Sequence, residues 1–207
     1  MKDIFGKIES IKPSECTCHS GGAKGSDTIW EDLTIRYGGK VKAYSYKTEY
    51  HNTPNKVEIS EEDYQEGIKK VNSANHYLNR WGVHKFMNLL ARNWSQVKYS
   101  KQIIAIGHLV RKGEKSKKGY YNKGKYTSVD GGTGYAVMMG ILHNRIIHVY
   151  DQDKEKWYEY SYIKNDFIEI DSSEVYFIYT DFAGIGTRDI NENGIKAIEL
   201  VFKNSFS

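Results

Sequence analysis

Apolar and polar positions along this chain follow two periods. Gln102-Ile103-Ile104-Ala105-Ile106-Gly107 is a continuous apolar run of strand length, which predicts a strand covered on both faces. Residues 41–46 alternate and predict another strand. So do 156–160 and 166–170, which read together as an antiparallel hairpin. Apolar residues at helical spacing follow Ser26 and stop at Gly38-Gly39, a helix C-cap signal. Ser60, with Asp63 three positions on, predicts the start of a helix reaching about Asn79. Another helix is expected near 83–99, where Phe86, Leu89, Leu90, Trp94 and Val97 share a side, with Trp94 in the core. Further helices are expected at 135–143 and from about Asn191, with a strand at 145–150 and with 176–179 and 182–183 leading as strand into the third glycine turn. Residues 1–13, carrying Ile4, Phe5, Ile8 and Ile11, predict a helical turn or edge segment ending at Pro13. Residues 47–56 predict a polar loop.

Strands alternating with helices predict an α/β fold: a Rossmann-like three-layer sandwich with a mainly parallel sheet and an appended antiparallel hairpin. At 207 residues one domain is expected over the whole chain. Three glycine-rich segments each follow a predicted strand: Ser20-Gly21-Gly22-Ala23-Lys24-Gly25-Ser26-Asp27, Asp130-Gly131-Gly132-Thr133-Gly134 and Gly184-Ile185-Gly186-Thr187-Arg188. A strand, a glycine turn and a helix together present free backbone N–H groups and a helix dipole to an anion. In a parallel sheet such turns gather at the carboxyl ends of the strands, so the three are expected to share one site.

Composition changes this picture little. Thirty basic and 26 acidic residues leave a formal charge of +4, too small an excess to mark a nucleic-acid protein. Its placement is uneven: residues 112–125 hold six lysines and Glu114 as their one acid, and 109–129 reads as a long solvated loop or hairpin, alternatively a lid over a polyanion. Cys16 and Cys18 lie two apart on a predicted strand and read as buried thiols rather than a disulfide or metal half-site. His84, His108, His143 and His148 form no triad or metal pattern, so no metal or cofactor is expected. With no signal-peptide pattern and no apolar run of about 18 residues, the expectation is a cytoplasmic protein without a membrane partner.

The first two glycine segments resemble the signatures of the SLOG superfamily, the Rossmann-like proteins that include the DNA-processing protein DprA and the LOG (Lonely Guy) proteins. Ser20-Gly21-Gly22-Ala23-x-Gly25-x-Asp27 is similar to the first motif. Asp130-Gly131-Gly132-Thr133-Gly134 is similar to the second, the LOG segment Pro-Gly-Gly-x-Gly-Thr-x-x-Glu. The likeness covers mainly residues 16–46, 92–108, 130–151 and 181–203, and the chain is similar to bacterial and phage proteins of this type. Two departures stand out. The segment 184–188 with its helix resembles the unit that opens the fold in this superfamily, yet here it closes the chain, which implies a circular permutation. Aligned on Gly131 and Gly132, the LOG glutamate is Met138 and the LOG threonine is Tyr135. A methionine can neither transfer a proton nor stabilise an oxocarbenium ion.

These readings name candidate residues. Ser20, Gly21, Gly22, Ala23, Gly25, Asp130, Gly131, Gly132, Thr133, Gly134, Gly184 and Gly186 are expected around a phosphate or ribose, or else as turn glycines and helix caps. Asp27 is a ribose ligand or a first-turn acid on the helix dipole. Arg188 is a phosphate fork or the partner of Asp189, and Arg92 a ligand contact or a surface arginine. Tyr44 and Tyr46 are expected to stack on a base or to fill the core. The functional expectation is a nucleotide-binding sensor, carrier or sponge without catalysis, with a homodimer or higher homo-oligomer as a possible assembly. The alternatives are a LOG-like nucleoside monophosphate phosphoribohydrolase using Asp27 or Asp130, and a DprA-like single-stranded DNA binder.

Overall fold

The structure, a computed structural model, describes residues 11–46, 53–117 and 119–206. The apolar run forms β4 (Gln102–Gly107), every residue of which is buried. It lies inside an eight-stranded sheet, where a strand without polar positions finds cover on both faces. β4 pairs in parallel with β7 (Ile146–Asp151) on one side and β10 (Asp181–Gly186) on the other. Outward from β10 run β1 (Thr17–Ser20), β2 (Lys40–Ser45) and β3 (Lys56–Glu58), all parallel. Beyond β7 the direction reverses in the hairpin of β8 (Lys156–Ser161) and β9 (Asp166–Ile170).

Helices cover both faces. On one, Trp30 and Leu33 of α1 (Ser26–Arg36) and Ile198 and Phe202 of α5 (Glu192–Phe206) pack over Ile104, Ile106 and Phe182. On the other, Val71 of α2 (Glu61–Leu78), Trp94 of α3 (Met87–Lys98) and Met139 of α4 (Thr133–Leu142) pack over Ile103, Ala105 and Ile147. The period-2 alternation of each strand thus feeds two separate cores. The result is the expected α/β three-layer sandwich, mainly parallel, with an appended antiparallel hairpin.

Local chemistry sets the element ends as the sequence predicts. The Ser60 hydroxyl accepts the Asp63 N–H at 3.1 Å, and Asn79 ends α2 in the left-handed region at φ 51°. Gly38, at φ 92°, lets the chain leave α1 while the Gly39 N–H donates to Thr34 O at 2.8 Å.

Three details differ from the sequence reading, and a fourth, at 109–129, takes the hairpin form of its two expected forms. β3 begins at Lys56, inside the predicted loop, because three exposed residues carry no pattern. The helix near 83 opens as a 3-10 turn, Val83–Phe86, before α3. The last strand starts at 181 rather than 176, since the Gln102 side chain bonds Tyr176 O and the Ile178 N–H at 2.8 and 3.0 Å and holds that segment off the ladder. The segment 109–129 is closed at its base by β5 (Leu109–Val110) and β6 (Ser128–Val129), paired antiparallel. The expected apolar set at Ile4, Phe5 and Ile8, and the loop from 47 to 52, lie outside the described residues; Pro13–Glu15 is a 3-10 turn.

One topological feature positions the site. β10 comes last in the chain yet sits between β1 and β4 at the middle of the parallel strands. The chain leaves β10 for α5 on one face and, after β4, reaches α4 on the other. A crevice opens where two neighbouring strands send their chains to opposite faces. Among the described residues no helix is long and apolar enough to cross a membrane.

Candidate functional site

A cavity of about 1220 Å³ lies at the carboxyl ends of β1, β10, β4 and β7, and all three glycine segments reach it. The first turns sharply at Gly22 (φ 62°) and Gly25 (φ 107°). A Cβ on Gly25 would meet the Arg188 backbone at 2.5–2.8 Å, so its bare Cα lets the third segment lie against the first. That contact is stapled: the Ser26 N–H and hydroxyl both donate to Thr187 O, at 3.1 and 2.8 Å.

Asp27, in the first turn of α1, points back into its own loop. It accepts the Ala23 N–H at 3.4 Å and also the Gly186 N–H. Burial pushes its carboxyl up to about 6, against the pull of Arg92 and those two N–H groups. A carboxylate of the protein therefore holds N–H groups that a phosphate loop would offer to a ligand. Attraction for an anion passes to side chains.

Arg92 projects from α3 beneath this loop. Only 4% exposed, it donates to Gly21 O and, at 3.3 Å, to Tyr44 O, and its Nε has no hydrogen-bond partner among the described residues. Burial lowers its pKa while Asp27 raises it. The two groups flank the Cα of Gly21, where a Cβ would overlap the guanidinium and come within 2.6 Å of Asp27 Oδ2. Arg188 stands at the end of the central strand, exposed and lining the cavity. Among the described residues it has no ion pair, and the alternative reading of a bridge to Asp189 is not realised. Gln152 fixes its loop, donating to Asp189 O at 3.2 Å and accepting the Asn191 N–H at 2.8 Å.

The second glycine segment is shaped by Arg80, which donates to Gly131 O and Val129 O at 2.6 Å each. The guanidinium also lies over the rings of Tyr120 and Tyr135, 6.0 and 5.5 Å from their centroids. The Tyr120 hydroxyl donates to Asp130, whose carboxylate accepts the Gly131 N–H at 2.6 Å. Tyr120 belongs to a hairpin whose described residues are 111–117 and 119–123, and it lines the cavity together with Lys117, Tyr121 and Lys123. Asn122 holds the hairpin together, with Nδ2 on Val110 O and Tyr126 O at 2.8 and 3.0 Å and Oδ1 accepting the Gly124 N–H at 2.9 Å. The lysine-rich segment is therefore a hairpin, one of the two forms expected of it, with its described lysines exposed to solvent, and Lys117 and Lys123 line the cavity.

Ala23, Asp27, Arg92, Asp130, Gly131, Gly132, Thr133, Gly186 and Arg188 thus share one cavity. The other candidates do not line it. Ser20 donates to the buried Glu31 carboxylate at 2.6 Å and accepts the Gly22 N–H. Gly21 packs on Arg92, Gly25 on Arg188 and Gly184 on the Trp30 ring, while Gly134 packs on Val129 O and Arg80. Tyr44 is buried in a stack with His19 and Tyr99, its hydroxyl 2.9 Å from His19 Nδ1, so it is taken up by the core and no base can reach its ring. Met138 also faces the core rather than the cavity.

Arg80 escaped the sequence reading, and Tyr120, Lys117 and Lys123 entered it only as members of the lysine-rich segment. Arg80 follows a helix cap, and its carbonyl partners lie 49 and 51 residues further along, so no local signal marks it. His84 is exposed, His143 packs on Trp94 at 4.6 Å, and burial lowers His148 to about 4. His108 approaches Asp153 at 3.1 Å, with Asp151 close by, the one group of possible metal ligands among the described residues. Lys117 pairs with Asp153 and Lys154 with Asp151 at 3.7 Å, so ammonium groups already supply the positive charge there.

Comparison with protein-family models, with curated proteins and with solved structures returns no match for this chain.

Proposed function

We propose that this chain binds a phosphate-bearing nucleotide or nucleotide-derived signal in the cavity, as a sensor, carrier or sponge. One observation carries the reading: among the described residues Arg188 stands without an ion pair at the carboxyl end of the central strand, near the buried Arg92. An arginine fork free of acids, at the place where open α/β sheets take their ligands, suits a phosphate. Among the described residues the cavity is lined by Arg80, Arg92, Lys123 and Arg188, and by Lys117 in its pair with Asp153, against the carboxylates of Asp27, Asp130 and Asp189. That excess favours an anion. The resemblance to SLOG proteins points the same way, and the central seat of β10 supports the reading of a circularly permuted member.

Titration with AMP, GMP, CMP and UMP tests the proposal by calorimetry. Binding by at least one is expected, and no heat or thermal stabilisation from any phosphate-bearing nucleotide removes the proposal. Arg188→Ala is expected to weaken the best of these about 10- to 100-fold, the loss of one charge-assisted contact. Its melting temperature should stay near that of the parent, since the side chain is exposed.

A second reading is favoured by Asp27. A carboxyl lining the cavity and pushed up to about 6 retains part of its protons near neutral pH, as a general acid for N-glycosidic hydrolysis requires. This reading expects free base to be released from AMP or CMP and the release to vanish in Asp27→Asn. Intact nucleotide after prolonged incubation decides for binding alone.

A further inference from the structure

Three large aromatic side chains stand in solvent on the wall of this cavity. Trp81 is 90% exposed, Phe86 60% and Tyr121 58%, and all three line it. Isolated exposed apolar residues are ordinary, but three aromatics facing one cavity form a patch that points to a ligand. Trp81 and Phe86 come from the connection between α2 and α3, and Tyr121 from the lysine-rich hairpin. The return leg of that hairpin is tied to the end of α2: the Lys125 N–H donates to Tyr77 O at 2.8 Å, and Asn79 Nδ2 to Lys123 O at 3.3 Å. The same tie brings Lys123, which has no ion pair among the described residues, to this end of the cavity.

The lining of the cavity therefore falls into two groups of different make-up. One, at the ends of β1 and β10, is built from Arg92 and Arg188. The other, at the hairpin, offers flat rings and a lysine, the pairing that takes a base and its phosphate. At about 1220 Å³ the whole exceeds the roughly 300–1,000 Å³ of an ordinary small-molecule site.

Resting on the nucleotide reading above, we propose that the ligand has two nucleotide units. One unit sets its phosphate against Arg92 and Arg188. The other stacks its base among Trp81, Phe86 and Tyr121, with its phosphate on Lys123.

The test titrates the full chain with AMP, GMP, CMP and UMP and with the 5′-phosphorylated dinucleotides made from them. The best dinucleotide is expected to bind at least about 10-fold tighter than the best mononucleotide, with one molecule per chain. Trp81→Ala and Lys123→Gln, both at exposed positions, should shrink that ratio towards one. Mononucleotides binding as tightly as every dinucleotide would overturn the two-unit ligand and leave the nucleotide reading standing. An equal loss for both ligand sizes in Trp81→Ala would overturn the role of the second group. No binding by either class removes both proposals.

Discussion

Replacing Arg92 with methionine is expected to lower folding stability by roughly 3 kcal/mol at neutral pH, the scale on which removing one member of a buried charge pair acts. Two effects add. Gly21 O and Tyr44 O lose their donor inside the protein, and Asp27 loses the opposite charge that offsets its burial. Methionine fills much of the same volume, so the change is electrostatic rather than a cavity. The loss should shrink on acidification, because a protonated Asp27 no longer needs a cation. Urea unfolding at pH 7.5 and pH 5 measures both quantities. A variant as stable as its parent at pH 7.5 would mean that Arg92 does not support the glycine loop.

Asp27→Asn is expected to stabilise the protein at neutral pH by roughly 2–3 kcal/mol, and the sign follows from linkage. The ordinary carboxyl value is 3.8 and the folded one about 6. Above pH 6 both folded and unfolded states carry the charge, and the folded state bears the full penalty of burying it. As the pH falls from 6 towards 4 the folded state takes up the proton first, so the parent gains stability relative to the variant. Below about pH 4 the difference should vanish. An asparagine oxygen accepts one N–H less readily than a carboxylate accepts two, which trims the gain. Unfolding free energies of both proteins between pH 3.5 and 8 check this, and parallel curves would contradict it.

These two expectations concern a pair whose members the sequence names separately and cannot join. Asp27 is legible as a first-turn acid after a glycine loop. Arg92 is legible only as a basic residue on a helix, since its partners are 48 and 71 residues away. The same distance rule hides Arg80, and it hides the fate of Tyr44, whose ring is claimed by His19 and Tyr99. The lysine-rich composition rightly says solvent for its lysines, but not that Asn122 closes the hairpin from within. The Met138 position is instructive in another way. Motif alignment places it beside a site, yet its rotation on α4 turns it into the apolar core.

What the sequence determined by itself is local. The buried strand 102–107, the capped helix after Ser60, the glycine stop after α1 and the hairpin 156–170 each follow from short-range sterics, capping and hydrophobic period. Alternation of such elements was enough to specify an α/β sandwich. Tertiary structure alone decided that β10 sits between β1 and β4, and that an internal carboxylate holds two N–H groups of the glycine segments, whose meeting at one edge the sequence predicts. The physical reason is that backbone periodicity is written within a few residues. The electrostatics of this site come from groups on separate elements, brought together only when both faces of the sheet are covered.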